Sequence, residues 1–203
     1  MIKSWQDIQG WFSEDDARFY RGLARQAKPG DIYVEVGCWL GRSTAVMADA
    51  LIGSDIEAFQ VCDTFEGNGS SKLTTFKDTI ARLGGPHMVR AQMLYNLAVL
   101  GLDDDDTLGY LLTVDIDCSV DFARSYADES VACCFLDGEH TRAEVTRDFA
   151  AWWPKIKSGG ILAGHDYNFP GVNQAVEQHI RERHNEIEDF AVSHGVCWAM
   201  VKK

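Results

Sequence analysis

Short, almost continuous apolar runs alternate along this chain with longer segments in which apolar residues recur every three or four positions. The short runs are typical of strands buried on both faces of a sheet, and the periodic segments are typical of helices. The predicted strands are residues 31–37, 56–63, 108–115, 131–138 and 159–166, followed by an antiparallel pair at residues 186–194 and 196–203.

Helices are predicted between the strands, and two of them carry clear start signals. Ser13 is an N-cap followed by three acidic residues, and Thr141 with Glu144 forms a capping box. The predicted helices are residues 13–28, 43–53, 71–84, 86–102, 119–127 and 171–184. A further helix is predicted to begin at Thr141, with Val145, Phe149 and Trp152 on one face. The four aspartates 103–106 are predicted to form a solvated loop, because they lack the alternating ligands of a calcium loop.

Strands that alternate with helices predict an α/β protein with a parallel sheet covered by helices on both faces. We expect one domain over residues 1–203, with an N-terminal helical segment (about 1–28) and a lid-like insertion (about 64–107). Aromatic residues in that insertion are candidates either for a ring-binding wall or for plain core: Phe65, Phe76 and Tyr95.

Charge and composition narrow the classes of partner. The 203 residues contain 19 basic and 31 acidic side chains, for a net charge of -12, which disfavours nucleic acid and anionic membranes as partners. No apolar stretch is long enough to span a bilayer, and the N-terminus lacks the apolar core of a signal peptide. We expect a cytoplasmic protein whose cysteines are reduced: Cys38, Cys62, Cys118, Cys133, Cys134 and Cys197.

Polar side chains collect at the predicted carboxyl ends of the strands, which is where open α/β sheets bind ligands. The residues in the last positions of successive strands or shortly after them are Glu35, Gly37 and Gly41; Asp63 and Thr64; Cys118 and Ser119; Asp137 and His140; and His165 and Asp166. A purely structural placement would scatter polar residues over both ends of the sheet, so their coincidence at one edge predicts a binding site.

The segment VEVGCWLGRST, residues 34–44, forms the first half of this site. Its spacing is E-x-G-x-x-x-G, which differs from the G-x-G-x-x-G pattern of dinucleotide-binding proteins. Gly37 permits a turn close to a ligand, and Gly41 permits tight contact at the start of a helix. Asp63 is placed to accept hydrogen bonds from ribose hydroxyls, although a cap or turn role explains it equally well.

The second half of the site lies after the fourth and fifth strands. Asp137 and Asp166 follow strands that we expect to be neighbours, and with His165 they form a donor set that suits Mg²⁺ or another divalent ion. His140 is a candidate general base. The structural alternatives are a helix cap for His140 and a buried, hydrogen-bonded imidazole for His165.

Five segments in this order carry a family resemblance: VEVGCWLGRST, DTFEG, FLDGEH, SGGILAGHDY and PGVNQAV. Over about residues 30–178 the chain resembles the class I S-adenosylmethionine-dependent methyltransferases, in particular the macrocin O-methyltransferase and cephalosporin-hydroxylase-like group. The resemblance implies a Rossmann-like, doubly wound, seven-stranded sheet that is mostly parallel with the last strand antiparallel.

The resemblance also implies roles for individual residues. Gly37 and Gly41 would line the methionine part of S-adenosylmethionine, with Glu35 near its ammonium, and Asp63, followed by Thr64, would hold the ribose. Cys118 and Ser119 would approach the adenine. Asp137, His165 and Asp166 match metal positions, although His165 departs from relatives that often have a second acid there. His140 matches a histidine proposed as the base.

These expectations combine into an O-methyltransferase that acts on a small hydroxylated substrate. The metal would lower the pKa of a hydroxyl, and His140 would take its proton. The alternative is a cofactor-binding or hydroxylase-like relative that transfers no methyl group, and an NAD-dependent oxidoreductase is disfavoured. Trp5, Trp11 and Phe12 either pack on their own domain, which we favour, or cover the partner of a homo-oligomer.

Overall fold

The computed structural model describes residues 2–67 and 74–203, and seven of their strands form one sheet. The strands are β1 (Ile32–Val36), β2 (Ala58–Asp63), β3 (Leu111–Ile116), β4 (Val131–Leu136), β5 (Ile156–Gly164), β6 (Ile187–Ser193) and β7 (Cys197–Lys202). Their order is β3-β2-β1-β4-β5-β7-β6, and β7 is antiparallel to both neighbours. The predicted seven-stranded, mostly parallel sheet is therefore confirmed.

Helices cover both faces of the sheet. They are α1 (Glu14–Ala24), α2 (Arg42–Leu51), α3 (Thr74–Leu83), α4 (Pro86–Val99), α5 (Asp105–Leu108), α6 (Ser119–Ala123), α7 (Arg142–Trp152) and α8 (Pro170–Arg183). One apolar cluster packs α1, α2 and α4 against one face of the sheet. A second cluster packs α6, α7 and α8 against the other face, as a doubly wound fold requires.

Two local predictions need correction. The aspartates predicted as a loop are partly helical, because the Asp104 carboxylate accepts hydrogen bonds from the backbone of Asp106 and Thr107 and caps α5. The predicted capping box of α7 is only half formed. The Thr141 hydroxyl accepts from the Glu144 backbone at 3.3 Å, but the Glu144 carboxylate pairs with Arg147.

The strand order brings the predicted site residues together. β1 pairs in parallel with β2 and β4, and β4 pairs in parallel with β5, so their carboxyl ends meet at one edge. Residues 68–73, part of the predicted lid-like insertion, lie outside the described residues. Within the described ranges, no helix is both long and apolar enough to cross a membrane.

Candidate active site

A cavity of about 1180 Å³ opens at this edge of the sheet. A single drug-sized ligand usually occupies a pocket of about 300–1,000 Å³, so this cavity has room for a cofactor beside a small second molecule. Most of the predicted site residues line it: Gly37, Asp63, Thr64, Cys118, Ser119, Asp137, His140, His165 and Asp166. Glu35 and Gly41 lie behind the cavity wall.

Gly37 makes a close contact between the ends of β1 and β4. Its φ is +84°, and a Cβ at this position would lie 2.3 Å from the carbonyl oxygen of Asp137. A side chain is therefore excluded both by backbone conformation and by space. The glycine sets the distance between the first turn and the acid that follows β4.

Gly41 and Glu35 stabilise the turn between β1 and α2 on the side that faces away from the cavity. Gly41 caps α2 with a φ of +87°, and a Cβ there would lie 2.9 Å from the side chain of Met93 in α4. Glu35 is fully buried, and its Oε2 accepts a hydrogen bond from the Thr44 hydroxyl at 2.6 Å. Burial raises the pKa of Glu35 to about 8, although the hydroxyls of Ser43 and Thr44 oppose the rise. Glu35 is therefore largely protonated at neutral pH.

Asp63 ties the glycine turn to the end of β2. One carboxylate oxygen accepts from the backbone N–H groups of Cys38 and Trp39 at 2.9 and 2.8 Å, and the other accepts from Phe65 at 2.6 Å. The turn role that the sequence left open is thus present. A carboxylate has about four acceptor sites, so about one remains for a ligand hydroxyl.

Cys118 and Ser119 form the wall after β3. Cys118 caps α6, and its thiol donates to Asp121 at 3.3 Å. The Ser119 hydroxyl accepts a hydrogen bond at 3.0 Å from the indole of Trp152, which is buried in α7. Cys118 is therefore tied to its own helix, α6, and Ser119 is tied to α7, and both line the cavity.

The acid–histidine cluster lies where β4 and β5 end. His140 Nε2 lies 2.6 Å from Asp166 Oδ2, and His165 Nδ1 lies 3.2 Å from Asp166 Oδ1. His165 Nδ1 is also 3.7 Å from Asp137 Oδ1. His165 is 8% exposed, whereas the side chains of His140 and Asp137 are 25% and 22% exposed. The cluster therefore presents His140 and Asp137 most openly to the cavity, and His165 lines the same wall with less of its surface exposed.

The neighbours in this cluster set one another's charge. Burial opposes protonation of His165, but Asp137, Asp16 and Asp166 outweigh it and raise its pKa to about 11. Burial also opposes protonation of His140, and the hydrogen bond and charge of Asp166 again prevail and raise its pKa. Burial raises the pKa of Asp137 to about 7, with His165 opposing the rise. Asp166 keeps a pKa below its ordinary range because both histidines stabilise its anion against the effect of burial.

Sequence reasoning missed the N-terminal contribution to this site. Asp16 Oδ2 lies 3.4 Å from His165 Nε2, although the sequence indicated only an acidic first turn in α1. Residues 9–12 line the cavity, and the Arg42 guanidinium holds them by donating to the carbonyls of Phe12 and Ile8 at 2.9 and 3.1 Å. No pattern in the sequence joins these distant positions.

The aromatic residues proposed for a substrate wall have three different environments. Phe76 lines the cavity and lies 4.6 Å from the ring of Trp39, measured between centroids. Phe65 is fully buried, and Tyr95 is 61% exposed on α4. A further aromatic, Phe169, lines the cavity and stacks 4.9 Å from His140.

The donor set is compatible with a divalent ion. One ligand atom from each of Asp137, His140 and Asp166 lies within 4.8 Å of the others, so His140 joins the two predicted acids in the accessible group. Oxygen and imidazole ligands suit Mg²⁺, Mn²⁺ or a related ion. His165 contacts both acids, but its ring is turned between them and Asp16.

Comparisons with known proteins bear on the family and the fold of the chain. Residues 34–167 match a family model described as a methyltransferase domain. A search of curated proteins returned no significant match.

Three solved structures illustrate the similarity of fold. The O-methyltransferase NovP is 15% identical with a TM-score of 0.68, over 93% of this chain and 80% of that one. A SAM-dependent O-methyltransferase from Thermotoga maritima is 16% identical with a TM-score of 0.64, over 100% and 72%. An rRNA methylase from Streptococcus thermophilus is 11% identical with a TM-score of 0.60, over 96% and 99%. At these identities the similarity establishes the fold and leaves the acceptor open.

Proposed function

Because the chain belongs to the methyltransferase domain family, we propose that it is an S-adenosylmethionine-dependent O-methyltransferase that acts on a small hydroxylated molecule. The observation that carries the proposal is the His140–Asp166 pair, 2.6 Å apart, in the same cavity as the glycine turn and Asp63. The residues proposed as the base and as the nucleoside site line the same cavity, as a transfer reaction between two bound molecules requires.

The cofactor half of the site is assigned to the residues at the ends of β1, β2 and β3. Gly37 allows the cofactor to approach the backbone closely, and Gly41 shapes the turn behind it. Glu35 is assigned to the side of the site that is proposed for the cofactor ammonium. Asp63 and Thr64 are assigned to the ribose, supported by the acceptor site that Asp63 retains. Cys118 and Ser119 are assigned to the adenine, because they form the cavity rim on that side.

The chemistry proposed for this chain is proton removal at an oriented hydroxyl. S-adenosylmethionine, when bound, supplies an electrophilic methyl group on a sulfonium. His140 accepts the proton of the substrate hydroxyl, and Asp166 orients its ring and stabilises the imidazolium that forms. Asp137 faces the same space and is placed to hold a second substrate hydroxyl. Positioning and electrostatics supply most of the acceleration in such a site.

A divalent ion would be held by Asp137, His165 and Asp166, or by the two acids with His140. When bound, it would supply positive charge that lowers the pKa of a substrate hydroxyl. His140 cannot be a metal ligand and the proposed base through the same nitrogen. Metal assistance would therefore favour His165 as the ligand through Nδ1, which faces both acids, while Nε2 faces Asp16.

The deciding experiment separates cofactor binding from transfer. Calorimetric titration with S-adenosylmethionine and S-adenosylhomocysteine should show binding to the wild type and to His140→Ala. Release of S-adenosylhomocysteine should then be measured over a panel of phenols, sugars and polyols, with and without a chelator. We expect His140→Ala and Asp166→Asn to lose transfer, and His184→Ala, at an exposed position, to retain it.

Each outcome has a distinct meaning. Absence of cofactor binding at millimolar concentration contradicts the proposal. Binding without turnover on any hydroxylated acceptor supports the cofactor-binding or hydroxylase-like alternative. Full transfer by His140→Ala contradicts the assignment of the base.

A further inference from the structure

A continuous chain of polar contacts runs from the N-terminal helix to the cavity. Asp16 Oδ2 lies 3.4 Å from His165 Nε2, an ion-pair distance at which Nε2 has no hydrogen-bond partner. His165 Nδ1 lies 3.2 Å from Asp166 Oδ1, and Asp166 Oδ2 lies 2.6 Å from His140 Nε2. We propose that Asp16 is a positioning residue of the active site, which fixes the ring of His165 and, through Asp166, the ring of His140.

Asp16 is itself held firmly. It is 7% exposed, and its Oδ2 accepts from the backbone N–H and the hydroxyl of Ser13 at 2.8 and 2.6 Å. The thiol of Cys197 in β7 donates to its Oδ1 at 3.5 Å. A buried carboxylate with several donors keeps one orientation, so it can impose an orientation on the imidazole that faces it.

The ring of His165 needs such a partner. Its backbone is fixed by a bond from its N–H to the Leu136 carbonyl at 3.1 Å and by the Trp198 indole, which donates to its carbonyl at 3.2 Å. These backbone contacts do not set the orientation of the ring, and the neighbouring Phe12 ring, 5.7 Å away between centroids, offers it no polar partner. The carboxylates decide its orientation, because a half-turn would replace both facing nitrogens with carbons. Carboxylates hold functional imidazoles in the same way at catalytic and metal sites.

The positioning role extends the site beyond the family domain. The family match covers residues 34–167, whereas Asp16 comes from α1 and Cys197 from β7. The consequence of Asp16 for catalysis rests on the proposed function of His140, whereas the effect of Asp16 on the rings of His165 and His140 does not.

The test uses the full chain labelled with ¹⁵N at neutral pH. Correlation spectra of the histidine ring nitrogens would be recorded for the wild type, Asp16→Ala and Asp16→Asn, with His165→Gln and His140→Gln to assign the signals. Asp15→Asn is the matched control, since Asp15 lies in the same helical turn, is exposed and pairs with Arg18. Folding would be checked by circular dichroism and thermal melting, and cofactor affinity by titration with S-adenosylhomocysteine.

We expect Asp16→Ala to lose or shift the Nε2–H signal of His165 and to shift the signals of His140, with Asp16→Asn intermediate and Asp15→Asn unchanged. A purely structural Asp16 would lower the melting temperature and leave both rings unchanged, which would overturn the inference. Failure of Asp16→Asn to fold would also overturn it, because the carboxylate would then be a requirement of the whole domain. Lack of S-adenosylhomocysteine binding by the wild type would contradict the proposed function and not this inference.

Discussion

Replacement of Glu35 by glutamine should make the protein more stable at neutral and alkaline pH. Glu35 is fully buried, and its environment favours the neutral acid. Glutamine has nearly the same shape, and its carbonyl oxygen can accept the hydrogen bond that the Thr44 hydroxyl now donates to Glu35. The substitution therefore removes an ionisable group while it retains the contact.

The magnitude follows from the difference in pKa between the folded and unfolded states. Folding raises the pKa of Glu35 from 4.5 to about 8. The folded state then keeps a proton that the unfolded chain releases, so this contribution to stability is complete below pH 4.5 and declines as the pH rises to about 8. At about 1.4 kcal/mol per pH unit, the total decline is about 5 kcal/mol, of which about 3 kcal/mol has been lost by pH 7.

Urea unfolding of the wild type and Glu35→Gln at several pH values between 5 and 8.5 would measure this difference. The advantage of the variant in free energy of unfolding should grow steadily with pH. Glu57→Gln, the same change at an exposed position, is the matched control and should run parallel to the wild type. Parallel curves for Glu35→Gln would refute the argument that Glu35 is buried as a neutral acid. Weaker binding of S-adenosylhomocysteine by the variant would mean that Glu35 is ionised when the cofactor is bound, which the assignment of Glu35 to the cofactor ammonium requires.

Three further substitutions test other parts of the structure. Gly37→Ala should lower the free energy of unfolding by about 3 kcal/mol or more, because its Cβ would lie 2.3 Å from the Asp137 carbonyl oxygen. Thermal denaturation would measure this loss, and an unchanged melting temperature would contradict the close approach. Burial lowers the pKa of His179 to about 4, so its contribution to stability, about 3 kcal/mol, is present above pH 6.5 and is lost as the pH falls toward 4. His179→Phe should lose less free energy of unfolding than the wild type as the pH falls, as measured by urea unfolding. Equal losses in the two proteins would contradict this argument. Arg42→Met should expose residues 8–12 to limited proteolysis at Trp11 and Phe12, with unchanged cleavage as the contrary result.

The fold was predictable because the central strands are apolar along almost their whole length. Residues 131–136 are buried along their whole length, and the run VACCFL has no polar position that would suggest a surface strand. Once the strands are parallel neighbours, the polar residues that follow them must share an edge. The alternation of strands and helices in the sequence was enough to predict this topology. The topology in turn brings Asp137 and Asp166 to the same edge of the sheet.

Contacts between remote segments were not predictable in the same way. Asp16 reads as an ordinary acid in a capped first turn, and its Ser13 partner supports that reading. Its contacts with His165 and Cys197 depend on how α1 packs on the sheet edge. Arg42 likewise begins α2 after a glycine turn, and only the packed structure directs its guanidinium to the N-terminal carbonyls.

The charges of the active site are arranged so that His140 can be oriented by protein groups alone. Asp166 lies between two imidazoles, and the raised pKa of His165 places a positive charge beside Asp137 and Asp166 at neutral pH. A divalent ion at the two acids must compete with that imidazolium, and using His165 as a ligand also requires its proton to leave. The proposed role of His140 as base and a fixed cation at His165 are therefore mutually consistent in the observed arrangement. Metal assistance would use the same arrangement with one proton fewer, because Nδ1 of His165 faces both acids while Nε2 still faces Asp16.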